Sequence, residues 1–330
     1  MKIWFPTIKA GTGADTFVER LARGLNIAGV DTEITWFNHY LEFFPYLLKL
    51  VKPSGSIDII HANSWYGFAF NNKNNKLIVS EFHCVHDPEF KKHKSILQKI
   101  YHNLLIYRYE KSSVQKADAI AVISKHTCER LKEIFPNTKT RLIYCGIDAN
   151  FFTVSDKVSK DNTFNLLFIG SQSRRKGFDL LLPIMNKLGN NFNLYYTGEY
   201  RNELHKNNKN IYNLGRLDKQ GLLNAYQNCG AFLFPTRYEG FGYTVCEAMS
   251  CGRPVITSNC SSLPELVIQD ETGFLCEVNN VDAFCEAARQ LAASPELAKK
   301  MGRAGRERVL ANFTIEKMVD EYIELYESLL

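Results

Sequence analysis

The chain has 330 residues, 45% of them apolar, with 40 Lys/Arg against 35 Asp/Glu and nine cysteines. That length exceeds what one compact core usually takes and predicts two domains. No apolar run approaches the roughly 20 residues that span a bilayer, and an odd cysteine count without a Cys-x-x-Cys pair argues against a disulfide framework or a tetrahedral zinc site.

In chain order, Lys2–Phe5 reads as a strand, entered directly from the start with no signal-peptide pattern, so a cytoplasmic location with reduced core thiols is expected. Gly11-Thr12-Gly13-Ala14-Asp15 follows as a loop whose small residues let backbone amides approach a phosphate or a sugar. It carries Thr16 where a dinucleotide fingerprint has its third glycine, and a plain tight turn is the competing reading. Asp15–Ala28 has Phe17, Val18, Leu21, Ala22 and Leu25 on one helical face, with Gly29 as its stop. The aromatic and apolar stretch 43–50 is expected to pack in the core, with a membrane interface as the alternative.

Asp58–His61, Lys76–Phe82 and Ala119–Ser124 read as buried strands, the last followed by a helix from about His126 to Phe135. Between them, residues 91–116 hold seven Lys/Arg and one acid, Glu110, beside Ile96, Leu97, Ile100, Tyr101, Leu104 and Leu105 at helical spacing. The ordinary expectation puts that apolar face in the core. The alternative is peripheral contact with an anionic membrane, at the inner face of the plasma membrane, or with an acidic acceptor. The basic excess belongs to the first half: 20 Lys/Arg against 14 Asp/Glu in residues 1–150, and 20 against 21 in 151–330. No nucleic-acid partner is expected.

The pattern restarts after the polar stretch Ser155–Thr163. Strands are predicted at Phe164–Gly170, Asn193–Thr197, Ala231–Phe234 and Pro254–Thr257, and helices at Phe178–Leu188, Leu222–Asn228 and Tyr243–Ser250. Such alternation makes parallel sheets covered on both faces. The expected fold is α/β, two doubly wound domains joined near Asp148–Thr163, with ligands beyond the carboxyl ends of the strands in a cleft between the domains. Phe313–Leu330 sets Phe313, Ile315, Met318, Val319, Tyr322, Ile323 and Tyr326 near one helical face and needs a partner surface.

Three places carry chemistry. Gly170-Ser171-Gln172-Ser173-Arg174-Arg175-Lys176-Gly177 separates a strand from a helix and concentrates three cations where a diphosphate can be neutralised. His83 stands at the carboxyl end of a strand; the other ligands of a metal site are missing, so a hydrogen bond to a hydroxyl or phosphate fits better. Most informative is the strand-loop-helix unit 231–250, which sets Glu239 and Glu247 seven intervening residues apart across a glycine-rich loop and a helix start. Helix-start amides attract anions and carboxylates accept from hydroxyls, so the unit suggests a sugar nucleotide.

These residues resemble the retaining, nucleotide-sugar-dependent glycosyltransferases of family four, with the GT-B fold of two facing Rossmann-like domains. The most specific part is Glu239-Gly240-Phe241-Gly242, then Glu247-Ala248-Met249, Gly252 and Pro254-Val255-Ile256, followed by Pro264-Glu265 and Thr272-Gly273-Phe274-Leu275. Weaker matches are Gly13-Ala14-Asp15, His83, Ile123-Ser124, Gly146-Ile147-Asp148 and Lys176-Gly177. Family members commonly have Arg where Ser171 stands, so Arg174 or Arg175 is expected to supply that charge. A subset similar to lipopolysaccharide-core glucosyltransferases shares the Gly-Ser start and Arg-Lys-Gly end.

The resemblance implies an acceptor-side domain of residues 1–153 plus 314–330 and a donor domain of 154–313. It implies that Glu247 binds the nucleotide ribose, that Glu239 and the backbone of Gly240, Phe241, Gly242, Tyr243 and Thr244 hold donor sugar and phosphates, and that Lys176 neutralises the diphosphate. Gly13 would approach the donor and His83 the transferred sugar, with Arg216 and Leu217 near the base. Glu239, Lys176 and His83 are thus the expected catalytic residues. The expected reaction moves a sugar from a nucleotide diphosphate, UDP first, to a hydroxyl of a glycan or lipid-linked acceptor, with retention and without metal or cofactor. A sugar phosphorylase or epimerase of the same fold, and a catalytically silent sugar-nucleotide-binding subunit, stay open.

Overall fold

In a computed structural model the described residues are 1–155, 163–206 and 208–330. Part of the expected linker, 156–162, therefore lies outside the described residues. The chain divides into two compact units, Met1–Gly146 with Thr314–Leu330, and Ile147–Phe313. The first break falls earlier than position 153 because the residues after Gly146 bond into the second unit. Ile147 N donates to Phe313 O at 2.7 Å, and Ser250 Oγ donates to Phe152 O at 2.6 Å.

Unit 1 is built on β1 (Lys2–Ile8), β2 (Asp31–Phe37), β3 (Ile59–Asn63), β4 (Lys76–Glu81), β5 (Ala119–Val122) and β6 (Thr140–Leu142). They form one parallel sheet in the order β2-β1-β3-β4-β5-β6. The central strands are buried along most of their length, which is why their sequences read as apolar runs. The helix Gly13–Ile27 starts on the Thr12 side chain, two residues before the expected Asp15, and packs on the terminal helix Ile315–Glu327. A Cβ on Gly24 would collide with Val319, so glycine there permits the close approach. The terminal helix also places Tyr326 Oη 2.7 Å from His61 Nδ1, whose Nε2 lies 2.7 Å from Ser80 Oγ. Burial pulls His61 down to about 3, so the imidazole is neutral.

Unit 2 carries β7 (Phe164–Phe168), β8 (Phe192–Tyr196), β9 (Ile211–Asn213), β10 (Ala231–Phe234), β11 (Val255–Ser258) and β12 (Gly273–Cys276). Its parallel order is β12-β11-β10-β7-β8-β9. The order reverses between β7 and β10, and in unit 1 between β1 and β3. Beyond the carboxyl ends of such neighbouring strands their loops diverge and leave a crevice. All nine cysteines are thiols, seven of them buried. Among the described residues no helix is long and apolar enough to cross a membrane.

Two core expectations are corrected. Residues 96–116 are helical as Ile96–Tyr101, a π-turn His102–Ile106 and Tyr107–Lys116. The π-turn takes an extra residue and rotates the apolar positions on its two sides out of register. Ile106, Tyr109 and Ser113 are buried, whereas Ile96, Leu97, Ile100 and Leu104 are exposed. In residues 43–50 only Pro45 and Leu48 are buried; Phe44, Tyr46, Leu47 and Leu50 face solvent.

Candidate functional site

The loops that follow β7 and β10 lie at the switch point of unit 2. Each leads into a helix, Phe178–Leu188 and Tyr243–Ser250, and each helix begins on a left-handed glycine, Gly177 at φ +75° and Gly242 at φ +116°. Neither start has a side-chain cap. The other described helices of unit 2 with eight or more residues start on Asp218, Asn280 or Ser294, whose side chains accept from the helix amides. The two starts at the switch point are therefore the uncapped ones, as an anion-binding helix N-terminus requires.

The two loops are joined. A Cβ on Gly177 would collide with the Pro235 carbonyl, so only glycine lets the chains approach this closely. Arg237 N donates to Arg175 O at 2.7 Å, Thr236 Oγ1 lies 3.1 Å from the same carbonyl, and the Arg175 guanidinium donates to Tyr238 O at 2.9 Å.

Across this junction Lys176 Nζ donates to both carboxylate oxygens of Glu239, at 2.7 and 2.8 Å. Thr236 Oγ1 donates to the same carboxylate at 2.9 Å, and Arg175 Nη1 stands 3.7 Å away. Burial alone would raise the Glu239 pKa; the neighbouring Lys176 and Arg175 charges and the two hydrogen bonds outweigh it and hold the group below its ordinary value. Burial pulls Lys176 down, and Glu239 opposes that pull. The lysine side chain nevertheless keeps 19% of its surface exposed, against 8% for Glu239. Of the two side chains, Lys176 is therefore the more accessible. Glu239 N donates to Ser261 Oγ at 2.9 Å, and Ser262 Oγ donates to the Phe241 carbonyl at 2.7 Å and lies 3.2 Å from that of Glu239, so the two serines hold the glycine-rich loop.

Glu247 is buried one turn into its helix, and its Oε2 accepts from Tyr226 Oη at 3.1 Å. Burial and the adjacent carboxylate raise the Tyr226 phenol well above its ordinary value, which keeps it a donor. Tyr243 and Thr244 form the first turn of the same helix, after Gly240, Phe241 and Gly242. Arg174 is exposed, its Nε 3.7 Å from Asp179. Arg216 and Leu217 follow the edge strand β9, separated from β10 in the sheet by β7 and β8. The structure thus brings Arg175, Lys176 and Glu239 together and sets Glu247 on a second contact.

Gly13 and His83 belong to unit 1. Gly13 opens its helix exposed, and the loop before it is closed on itself: Asp15 accepts from Ala10 N at 3.1 and 3.2 Å and from Gly11 N at 2.7 Å. His83 follows β4, with ring centroids 5.1 Å from Phe90 and 6.4 Å from Trp65. Sequence reading missed Tyr226, Thr236, Ser261 and Ser262. The serines stand just before the quoted Pro264-Glu265, a position that invited attention; Tyr226 carries no signal, since only the fold brings it to Glu247.

Residues 151–308 match the family model for glycosyl transferases group 1, and 33–151 that for glycosyltransferase family 4. The chain is a family-four-type glycosyltransferase. This glycosyltransferase is 28% identical over 289 residues to an uncharacterized glycosyltransferase of Methanocaldococcus jannaschii, covering 85% of the chain and 78% of the relative. Its fold is GT-B. It superposes on sucrose-phosphate synthase from Thermosynechococcus elongatus with a TM-score of 0.86 at 21% identity, over 100% of this chain and 99% of that one. The Anabaena protein HepE, solved with UDP and glucose, superposes at 0.79 and 17%, over 99% and 100%. At those identities the likeness concerns the fold.

Proposed function

We propose that this glycosyltransferase moves a sugar from a nucleotide diphosphate, UDP in the first instance, to a hydroxyl of a glycan or glycolipid acceptor, with retention at the anomeric carbon and without a metal. The observation that carries the reading is the Lys176–Glu239 pair beside two uncapped helix starts at the switch point of unit 2. When the bond between the anomeric carbon and the phosphate oxygen breaks, the electron pair stays on the diphosphate. Lys176, Arg175 and the amides at the start of the helix Tyr243–Ser250 are the groups that stabilise that charge. Lys176 exchanges part of its contact with Glu239 for the phosphate, which frees a Glu239 oxygen for a sugar hydroxyl. Glu247, oriented by Tyr226, accepts from the ribose, and Arg216 and Leu217 lie toward the base. For Gly13 and His83 the roles remain those implied by the family resemblance.

The acceptor oxygen attacks on the face the diphosphate leaves, and its proton passes to the departing phosphate oxygen; no protein carboxylate becomes a nucleophile. The solved HepE complex with UDP and glucose supports UDP as the first nucleotide to try. The experiment is transfer from a panel of UDP, GDP and ADP sugars in excess chelator. Lys176→Ala is expected to lower kcat about 100-fold or more, as removal of one transition-state donor does. Wild-type turnover in both Lys176→Ala and Glu239→Ala would reject the site.

A further inference from the structure

The side chain of Arg237, in the loop after β10, has no part in the site as built so far, yet it is only 9% exposed and richly bonded. Its Nη1 and Nη2 donate to the two carboxylate oxygens of Asp179 at 2.6 and 2.9 Å. Nη1 donates also to the Arg174 carbonyl, and Nε donates to Asn279 Oδ1 at 2.6 Å. With its amide on Arg175 O, this one residue grips positions 174, 175 and 179, on both sides of Lys176. Only a planar guanidinium offers that fork; a lysine ammonium is a point charge and cannot reproduce it.

Asp179 gives the contact its consequence. It is the acid in the first turn of the helix Phe178–Leu188, three residues after Lys176, and 42% of its side chain is exposed. In an ordinary helix a carboxylate there is favourable, because it meets the free amides and the positive end of the dipole. Where the helix start and the cations before it are to receive a phosphate, the same carboxylate competes twice, by bonding the amides and by repelling the anion. In the structure it is turned onto Arg237 instead, with Arg174 Nε 3.7 Å away.

We propose that Arg237 is a positioning residue for donor binding: its guanidinium holds the Asp179 carboxylate and offsets its charge, so that Arg175, Lys176 and the start of the helix Phe178–Leu188 stay open to the diphosphate. The assignment rests on the reading of residues 170–177 as the diphosphate loop.

Calorimetric titration of the full chain with UDP, GDP and ADP tests it. Arg237→Met is expected to weaken binding of the nucleotide that the wild type prefers about tenfold, and by less at high salt. Asp179→Asn alone should leave the affinity within about twofold of wild type, since it removes a competitor and its restraint together. Combined with Arg237→Met, it should recover affinity to within about threefold of wild type. Arg237→Lys keeps the charge and loses the fork, and should weaken binding about threefold. That variant and its combination with Asp179→Asn carry the test if Arg237→Met unfolds. A simple brace predicts the opposite pattern: Asp179→Asn cuts the same tie, weakens binding as Arg237→Met does, and rescues nothing. That pattern, or wild-type affinity in Arg237→Met, overturns the proposal. Lys176→Ala separates the two readings. Unchanged affinity in that variant, or a wild type that binds none of the three nucleotides, rejects the loop as a diphosphate site and the proposal with it. Failed rescue beside a weakened Lys176→Ala rejects the role of Arg237 alone.

Discussion

The two units bury their carboxyl groups in opposite ways. In unit 2 Glu239 meets the Lys176 ammonium at hydrogen-bond distance and stays ionised. In unit 1 Glu81, at the end of β4, and Glu110, on the helix Tyr107–Lys116, are buried together. Burial, reinforced by Glu110, raises Glu81 well above the ordinary value, and burial pushes Glu110 up to about 8. His86 Nε2 stands 2.9 Å from Glu110 Oε2, but burial pulls its pKa down to about 4, so no protonated imidazole balances the pair. The switch-point loops differ in the same sense. After β1 the Asp15 carboxylate takes the Ala10 and Gly11 amides, whereas the helix starts beyond β7 and β10 have no such side chain. Equivalent topological positions are closed by the protein itself in one unit and left to an incoming anion in the other.

The largest test of this contrast is Lys176→Met. It leaves a buried carboxylate with the Thr236 hydroxyl and, at 3.7 Å, Arg175 as its remaining partners, and should cost unit 2 about 3 kcal/mol in urea unfolding. Adding Glu239→Gln should return stability to within about 1 kcal/mol of wild type while transfer stays lost. If the double variant stayed as unstable as the single one, the paired charge would not be what stabilises the loop.

Below about pH 6, a smaller effect is expected from Glu110→Gln. A carboxyl raised in the folded state is protonated there while its unfolded counterpart ionises near 4.5. Its contribution is therefore complete below the unfolded value, declines as pH rises, and is exhausted above about 8. The variant should lose stability less steeply than wild type across that window, by about 1.4 kcal/mol per pH unit. Parallel stability curves would show that Glu110 is ionised in the fold. Smallest of the three, Asp15→Asn weakens the bonds to Ala10 and Gly11 and should cost about 1 kcal/mol, read as a lower melting temperature. Tighter binding of inorganic phosphate by that variant would show that the loop is merely masked; no change in either property would show that the carboxylate does not close it.

How legible the fold was depended on position in the sheet. The central strands β3, β4, β5, β7 and β10 were read because two covered faces demand unbroken apolar runs. The edge strands β2, β6 and β9 went unread: each is short or partly exposed, and the run Asp31-Thr32-Glu33-Ile34-Thr35 alternates too weakly to declare a strand. The edge strand β12 was quoted only as part of a motif, because Gly273 lowers its strand character. At the site, charge and glycine spacing announced Arg175, Lys176 and Glu239. Tyr226 was invisible, since an aromatic residue in an amphipathic helix looks the same whether it packs or donates. The stripe of Ile96, Leu97 and Ile100 was read with the right period and the wrong side, because no periodicity shows a π-turn.

Gly177 has a mechanical consequence. Where it passes the Pro235 carbonyl there is no room for even a methyl group, so the strand ends of β7 and β10 cannot slide independently. The two loops behave as one jaw rather than two fingers. A ligand that draws Lys176 toward itself loads the segment bearing Glu239 at once, and its grip on the cation and on the carboxylate is felt as a single affinity.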